Sequence, residues 1–514
     1  MKAAPWWERA VIYQIYPRSF SDSNGDGNGD LAGIVDRLDH LQWLGVDAIW
    51  LSPTFPSPNA DWGYDVADYL GVHPDFGTPA ELEWLIAEAE RRHIRVLLDL
   101  VPNHTSDAHP WFHEPAKRAW YVWRDPRPDG SPPNNWKAVF GGAAWTLDGA
   151  SGQYYLHNFL PEQPDLDWSS DDVRGAFDEI IRYWLDRGVA GFRIDVAHAL
   201  VKDPLLRDNP PARPTDSPPW QRVGQRPEHN MGLPEAVDVH RRWRRLADEY
   251  DGDRLLLGET YVFDLERLMT YVVPDGLHLC MNLAFVHAPF VAEALAAVVA
   301  ETERLFPADA CPVWHASSHD DPRFATRWCA GDEDAIRCAL VALLSLRGAC
   351  ILYQGDEIGL ETVDVPPERQ RDMAGRDPSR TPMVWDAQEG AGFAEAGVEP
   401  WLPVGDRSRN VAAQRDDPGS ILTLTRDLIA LRRHRGLLTG AYAPVEAPAG
   451  VWAFRRAGGA LVAANLGDTP AVVEGVGGAI VLATRRERDE ELVEGALELA
   501  SREAVVLAES RRLG

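Results

Sequence analysis

Eight short apolar, β-rich runs recur along the chain, each followed by a polar loop and then a helical pattern. They are VIYQIYPRSF (11–20), AIWLSP (48–53), RVLLDLVPNH (95–104), GVAGFRIDVA (188–197), LLLGETY (255–261), LHLCMNLAF (277–285), PVWHASSHD (312–320) and ACILYQGDE (349–357). Near-continuous apolar character suits strands covered on both faces. Apolar residues at i, i+4 and i+7 predict helices over 34–45, 79–93 and 172–188, before the second, third and fourth runs. Strand–helix repetition argues for parallel βαβ units, and eight units for an α/β fold of the (β/α)8 barrel type.

The spacing of the runs is uneven. The stretch between the third and fourth is far longer than the roughly 30 residues of a minimal βαβ unit. It is rich in Pro, Gly, Trp and Asn, as in WRDPRPDGSPPNNW and FGGAAWT. It predicts an inserted subdomain over 105–170, with the barrel formed by 1–104 and 171–435. A second Pro-rich excursion, 203–234, reads as a lid. After about 435 the helical pattern gives way to short strands, predicting a C-terminal antiparallel β-sandwich domain over 436–514.

Composition narrows the function. Lys and Arg total 51 and Asp and Glu 79, for a net charge of −28. Such a balance repels phosphate backbones and anionic lipid surfaces, so neither nucleic acid nor a membrane is an expected partner. No stretch approaches 18 uncharged apolar residues, and the first twenty lack a secretory apolar core with a cleavage site. A soluble cytoplasmic protein is expected. The five cysteines (Cys280, Cys311, Cys329, Cys338, Cys350) include no CxxC pair and read as inert buried thiols. The 20 Trp supply core, and a surplus of flat apolar faces also suits sugar rings.

In barrels of this type the working residues lie at the C-terminal ends of strands. Here those ends carry Asp99 and His104, Arg193 and Asp195, Glu259, and His319 and Asp320. One such residue is ordinarily a structural ion pair. Four strand ends bearing acids and bases toward one mouth would repel if unpaired, and a site that uses carboxylates accounts for them. Glycoside hydrolysis needs one carboxylate as nucleophile and one carboxylic acid to protonate the leaving oxygen. An acidic cluster also offsets charge on the oxocarbenium-like transition state.

The motifs IYQIYPRSFSDSNGDGNGDLAGI, WGYDVADY, DLVPNHTS, GFRIDVAH, GETY, SHDDPR, GDEIG and RTPMVWD together resemble the α-amylase family of glycoside hydrolases, family 13. The resemblance covers nearly the whole chain. It is narrower toward the bacterial α-glucosidase and oligo-1,6-glucosidase branch, with its trehalulose- and trehalose-forming relatives. It implies Asp195 as nucleophile, Glu259 as general acid/base and Asp320 as a third carboxylate gripping sugar hydroxyls. It implies His104 and His319 as hydroxyl-binding histidines and Arg193 as the arginine that keeps the nucleophile ionised. Tyr64 would be the aromatic platform under the ring and Asp99 a supporting acid. Asp61 and Arg380 would form an ion pair that closes the pocket around a terminal glucose; a surface ion pair is the plainer alternative. The implied activity is a retaining exo-α-glucosidase on small α-glucosides such as maltose-type oligosaccharides. The alternatives are a transglycosylase or isomerase making trehalose-type products, or a non-catalytic scaffold of the same fold. The oligomeric state is left open.

The loop 22–30 places oxygen ligands at alternate positions, like the front half of an EF-hand, but Gly33 stands where the bidentate Glu would be. A solvated Gly-Asp turn is one reading. The resemblance implies the other: a structural Ca²⁺ on Asp22, Asn24, Asp26, Asp30 and the Asn28 carbonyl, with no organic cofactor. Three positions depart from the family's habit. Asp321 stands where a Gln is usual and Trp62 where a smaller or polar residue is common. Val196 resembles α-1,6-acting members, whereas the insert looks more like α-1,4-glucosidases; the balance is read as α-1,4.

Overall fold

The computed structural model describes residues 5–307, 310–433 and 436–509. Eight strands form one sheet: β1 (Val11–Ile15), β2 (Ala48–Leu51), β3 (Arg95–Leu100), β4 (Gly191–Ile194), β5 (Leu255–Gly258), β6 (Leu279–Cys280), β7 (Val313–His315) and β8 (Ala349–Tyr353). Their order is β7-β8-β1-β2-β3-β4-β5-β6, the sequential order of a (β/α)8 barrel. All eight apolar runs contain one of these strands. Each strand is shorter than its run, because the polar tail of the run leaves the sheet to form a loop. The run 277–285 even turns into a short helix, Leu283–Val286.

The chain packs into two compact units, Met1–Ile49 with Glu88–Arg95 and Asn282–Gly514, and Trp50–Ala87 with Val96–Met281. In the second unit β3, β4 and β5 pair in parallel, with Leu97 opposite Gly191 and Gly191 opposite Leu255. Gly191 has φ of 148°, and a Cβ there would strike the Leu255 carbonyl, so only glycine lets the neighbouring strand approach. Helices α3 (Pro79–Arg91) and α5 (Ala236–Ala247) precede β3 and β5, and α4 (Asp171–Leu185) leads into β4. Ser170 caps it by accepting from the Val173 N–H, and two acids in its first turn suit the helix dipole. Its apolar face, Val173, Phe177, Ile181 and Trp184, is buried.

The stretch 105–170 carries its own three-stranded antiparallel sheet, Trp123–Arg124, Trp145–Leu147 and Tyr154–Leu156, around a small core of Val122, Trp136, Trp145 and Leu156. The Pro-rich segment 203–234 is held against it: the indole of Trp136 donates to the Arg207 carbonyl, and Asn135 and Asn209 bond in both directions.

In the first unit β7 and β1 flank β8 in parallel register. The single helix expected over 34–45 is two, α1 (Leu31–Asp36) and α2 (Leu38–Leu44), separated at Arg37. Helices α6 (Ala292–Leu305), α7 (Glu333–Leu344) and α8 (Ile421–Arg433) follow. Beyond α8 a six-stranded antiparallel sheet spans Tyr442–Pro444 (β9), Val451–Arg456 (β10), Ala460–Asn465 (β11), Ala471–Ala483 (β12), Leu492–Leu499 (β13) and Glu503–Glu509 (β14). Alternate residues of β10 to β14 meet in one core of Val, Leu, Ile and Ala, and β12 carries two register shifts that bend it. The five cysteines are free and buried, and burial pushes Cys311 and Cys329 up to about 12. No described helix is long and apolar enough to cross a membrane.

Candidate active site

The loops after β3, β4 and β5 bring the predicted acids together around one guanidinium. Arg193 points inward from β4 and is fully buried. Its Nη1 donates to Asp195 Oδ1 at 2.7 Å and Asp99 Oδ1 at 2.9 Å, and its Nη2 lies 3.6 Å from Glu259 Oε2. Burial alone would lower its pKa. The acidic groups around it, Asp99 first, outweigh burial and raise it, so the charge is fixed. Asp99 is pushed upward by burial and held down by Arg193, by the Trp50 indole at 3.2 Å and by the Tyr64 hydroxyl at 3.1 Å.

Backbone geometry sets the two remaining acids. The Asp195 N–H donates to the Leu100 carbonyl, and the Glu259 N–H to the Ile194 carbonyl, so both extend the β ladder by one step. The next residue, Val196, has φ of 36°. A β-branched residue there is strained, and such strain persists where surrounding structure over-determines it. The strain has a visible product: the Val196 N–H points at Glu259 and donates to Oε2 at 2.8 Å.

Around this core, His104 lies with Nε2 3.1 Å from the Tyr64 carbonyl and Nδ1 3.1 Å from the Asn103 amide nitrogen. Burial lowers its pKa, which keeps the ring neutral. Gln163, from the inserted stretch, donates to Asp61 Oδ2 at 3.0 Å and sits 3.1 Å from His104 Nε2. Lys202 is enclosed by oxygens: Asn103 Oδ1 at 2.7 Å, Asp165 Oδ2 at 2.8 Å and the Ala199 carbonyl at 2.9 Å. It ties the insert to the loops after β3 and β4.

A second cluster lies in the other compact unit, after β7. Asp320, with 39% of its side chain exposed, receives Arg376 and Arg380 on Oδ1, each at 3.1 Å, and has His319 Nε2 3.2 Å from Oδ2. His319 Nδ1 is 2.7 Å from the Gln14 amide, and its ring stacks on Tyr16. Arg380 is fully buried and also donates to the His319 carbonyl. Asp372 braces Arg376 at 2.6 Å and lies 3.6 Å from Arg380. Asp321 turns aside to Ser318 and His287.

The loop of Asp22, Asn24, Asp26, Asn28 and Asp30 is also in this unit. Its donor set is of hard oxygens, which suits calcium. Asp22 accepts from the N–H groups of Asn24, Gly25 and Gly27, Asn24 from Asp26, and Asp26 from Asn28. Asp30 caps α1 by accepting from the Gly33 N–H at 2.6 Å. Among the described residues no group of three or more His, Cys, Asp or Glu is placed to hold a metal ion.

Sequence reasoning did not find Gln163, Lys202, Arg376, Asp372 or Trp50. Arg376 was open to it, standing four residues before Arg380. The others contact the site from segments with no motif of their own.

The comparisons agree with this geometry. A family model described as alpha amylase, catalytic domain, matches residues 14–440. A protein of Rhizobium meliloti (strain 1021) named "Probable alpha-glucosidase" is 42% identical over 488 residues, covering 88% of this chain and 87% of the relative. An oligo-1,6-glucosidase of Heyndrickxia coagulans is 36% identical over 488 residues, covering 84% and 86%. The crystal structure of the alpha-glucosyl transfer enzyme XgtA superposes with a TM-score of 0.92 at 39% identity, covering 98% of this chain and all of that one. Buried acids on one guanidinium, placed at the strand ends of a (β/α)8 barrel, and a family match over most of the length lead to one conclusion: the chain belongs to the α-amylase family and is a glycoside hydrolase.

Proposed function

We propose that this enzyme is a retaining exo-α-glucosidase that removes terminal, non-reducing glucose from short α-linked oligosaccharides, with maltose-type sugars as the preferred class. The observation that carries the reading is the Arg193 guanidinium, which holds Asp195 and Asp99 with Glu259 beside it. A carboxylate bound to a permanent cation stays ionised and is available as a nucleophile. In the proposed reaction Asp195 attacks the anomeric carbon while the C–O bond to the leaving sugar breaks and protonated Glu259 gives its proton to that oxygen. Glu259, now ionised, takes a proton from water as the water attacks the glucosyl–Asp195 ester, releasing glucose and restoring both acids. Asp320 is the proposed third carboxylate on the sugar hydroxyls. His104 and His319 are proposed as hydroxyl-binding groups, Tyr64 as the ring platform, and Asp61 with Arg380 as the readers of the terminal glucose. Relatives named α-glucosidase and oligo-1,6-glucosidase bracket the linkage, and α-1,4 is favoured with α-1,6 as the second option.

A second reading is transfer of the glucosyl group to a sugar hydroxyl, favoured by the likeness to a glucosyl transfer enzyme. Both readings share one intermediate. Chromatography of products from maltose, isomaltose, sucrose and trehalose over time separates them. Free glucose supports hydrolysis, a new disaccharide supports transfer, and inertness toward every α-glucoside overturns both. Asp195→Asn should abolish turnover in a folded protein. Glu259→Gln should spare the first step on activated aryl glucosides, which need no proton on leaving.

We also propose a structural calcium ion on the loop 22–30. Chelation should lower the melting temperature and addition of Ca²⁺ restore it. An unchanged melting temperature with no calcium by elemental analysis would remove the ion from the account.

A further inference from the structure

At the N-terminal end of β7 and β8, far along the chain from the acids of β3 to β5, a cavity of about 450 Å³ opens between helices α6 and α8 and strand β10 of the C-terminal sheet. Its charged lining is Arg9, Arg347, Arg432 and Arg456 against Glu8 and Glu303, an excess of positive charge in a protein of net charge −28.

Two of the arginines already have acceptors, Arg432 on neutral carbonyls and Arg347 on a carbonyl and a carboxylate. Arg432 donates to the carbonyls of Arg9, Leu344, Leu346 and Gly348. Arg347 donates to the Ala310 carbonyl at 2.7 Å and to Glu303 Oε2 at 2.8 Å. Carbonyls satisfy N–H groups without neutralising charge. Arg456 differs. It is only 2% exposed, lines the cavity, and its Nε and Nη1 are buried with no hydrogen-bond acceptor among the described residues. Buried guanidinium N–H groups without an acceptor are costly. Burial lowers its pKa to about 10; Glu303 opposes this, and the charges of Arg432 and Arg347 add to it. Glu303 acts on Arg456 through its charge, and Arg456 Nε and Nη1 donate no hydrogen bond to it.

We propose that this cavity binds a small phosphate oxyanion, free or as a phosphomonoester, with Arg456 as its principal contact. Guanidinium groups match tetrahedral oxyanions through several N–H donors at once. The volume lies within the range of small-molecule sites and exceeds what a bare ion fills, which leaves room for a small organic group on the phosphate. The anion would bridge β10 of the C-terminal sheet to α8 and the β7–β8 end of the barrel strands.

Isothermal titration of the intact enzyme with inorganic phosphate and, separately, a hexose monophosphate tests this in chloride buffer. Saturable binding of one equivalent is expected for at least one of the two; tighter binding of the hexose phosphate assigns the cavity to a phosphomonoester, equal or tighter binding of phosphate to the free ion. Arg456→Met should weaken binding tenfold or more without loss of glycosidase turnover. Glu303→Gln, which removes the competing acid, should tighten it. No saturable binding to the wild type, or unchanged affinity in both variants, overturns the proposal.

Discussion

At Arg193 one guanidinium meets three acids, and the arithmetic of burial decides what each contact is worth. An exposed ion pair contributes under about 1 kcal/mol, but breaking a buried one leaves an uncompensated charge and costs about 3–5 kcal/mol. Asp99 is wholly buried, so Arg193→Met should destabilise the fold by about that amount in urea unfolding. Adding Asp99→Asn should recover part of the loss, because the stranded charge is gone. A double variant no more stable than Arg193→Met would show that Asp99 does not depend on this arginine. The same guanidinium that pairs with Asp99 in the core also pairs with Asp195.

At the scale of elements, the loop after β4 does two things in eight residues. Val196 bends at positive φ and hands its N–H to Glu259, and Lys202 closes the loop by filling a cage of oxygens. Lys202→Met would leave the Asp165 carboxylate buried, with Asn158 as its one remaining side-chain partner among the described residues. A cost of about 3 kcal/mol is expected. Because Asp165 belongs to the inserted stretch, the loss should appear locally. Limited proteolysis should cut within 105–170 faster than in wild type, while the C-terminal sheet stays protected. Cleavage spread evenly over the chain would count against a local clamp.

Over the whole molecule, buried neutral histidines set the acid limit. His198 is pushed down to about 3 and His240 to about 4, chiefly by burial. An imidazole in the unfolded chain titrates near its ordinary 6.5, so below that pH the unfolded state binds more protons than the native one. Stability therefore falls as pH drops from 6.5 toward the folded values, by about 1.4 kcal/mol per pH unit for each ring. Urea midpoints across this window should show the slope, and His198→Gln with His240→Gln should make it shallower, leaving the share of His278 and His109, which burial also pushes down to about 3 and about 4. An equal slope in the double variant would place the acid sensitivity elsewhere.

The eight strands and the acids at their ends were legible because two-sided burial forces continuous apolar runs, and because a strand's last residues are the ones that reach the barrel mouth. Strand length was not, since the polar tails of the runs leave the ladder for loops, as at 277–285. Gln163 was invisible: its partner Asp61 is 102 residues away, and nothing local marks an amide that will donate to a distant carboxylate. The order of strands and the placement of Asp195 and Glu259 at strand ends were thus written in the chain alone. Which acids share Arg193, which oxygens enclose Lys202 and which arginine is left facing a cavity were decided only in three dimensions. Desolvation and charge pairing depend on what folding brings within a few ångströms, and that is a property of closed loops, not of neighbours in sequence.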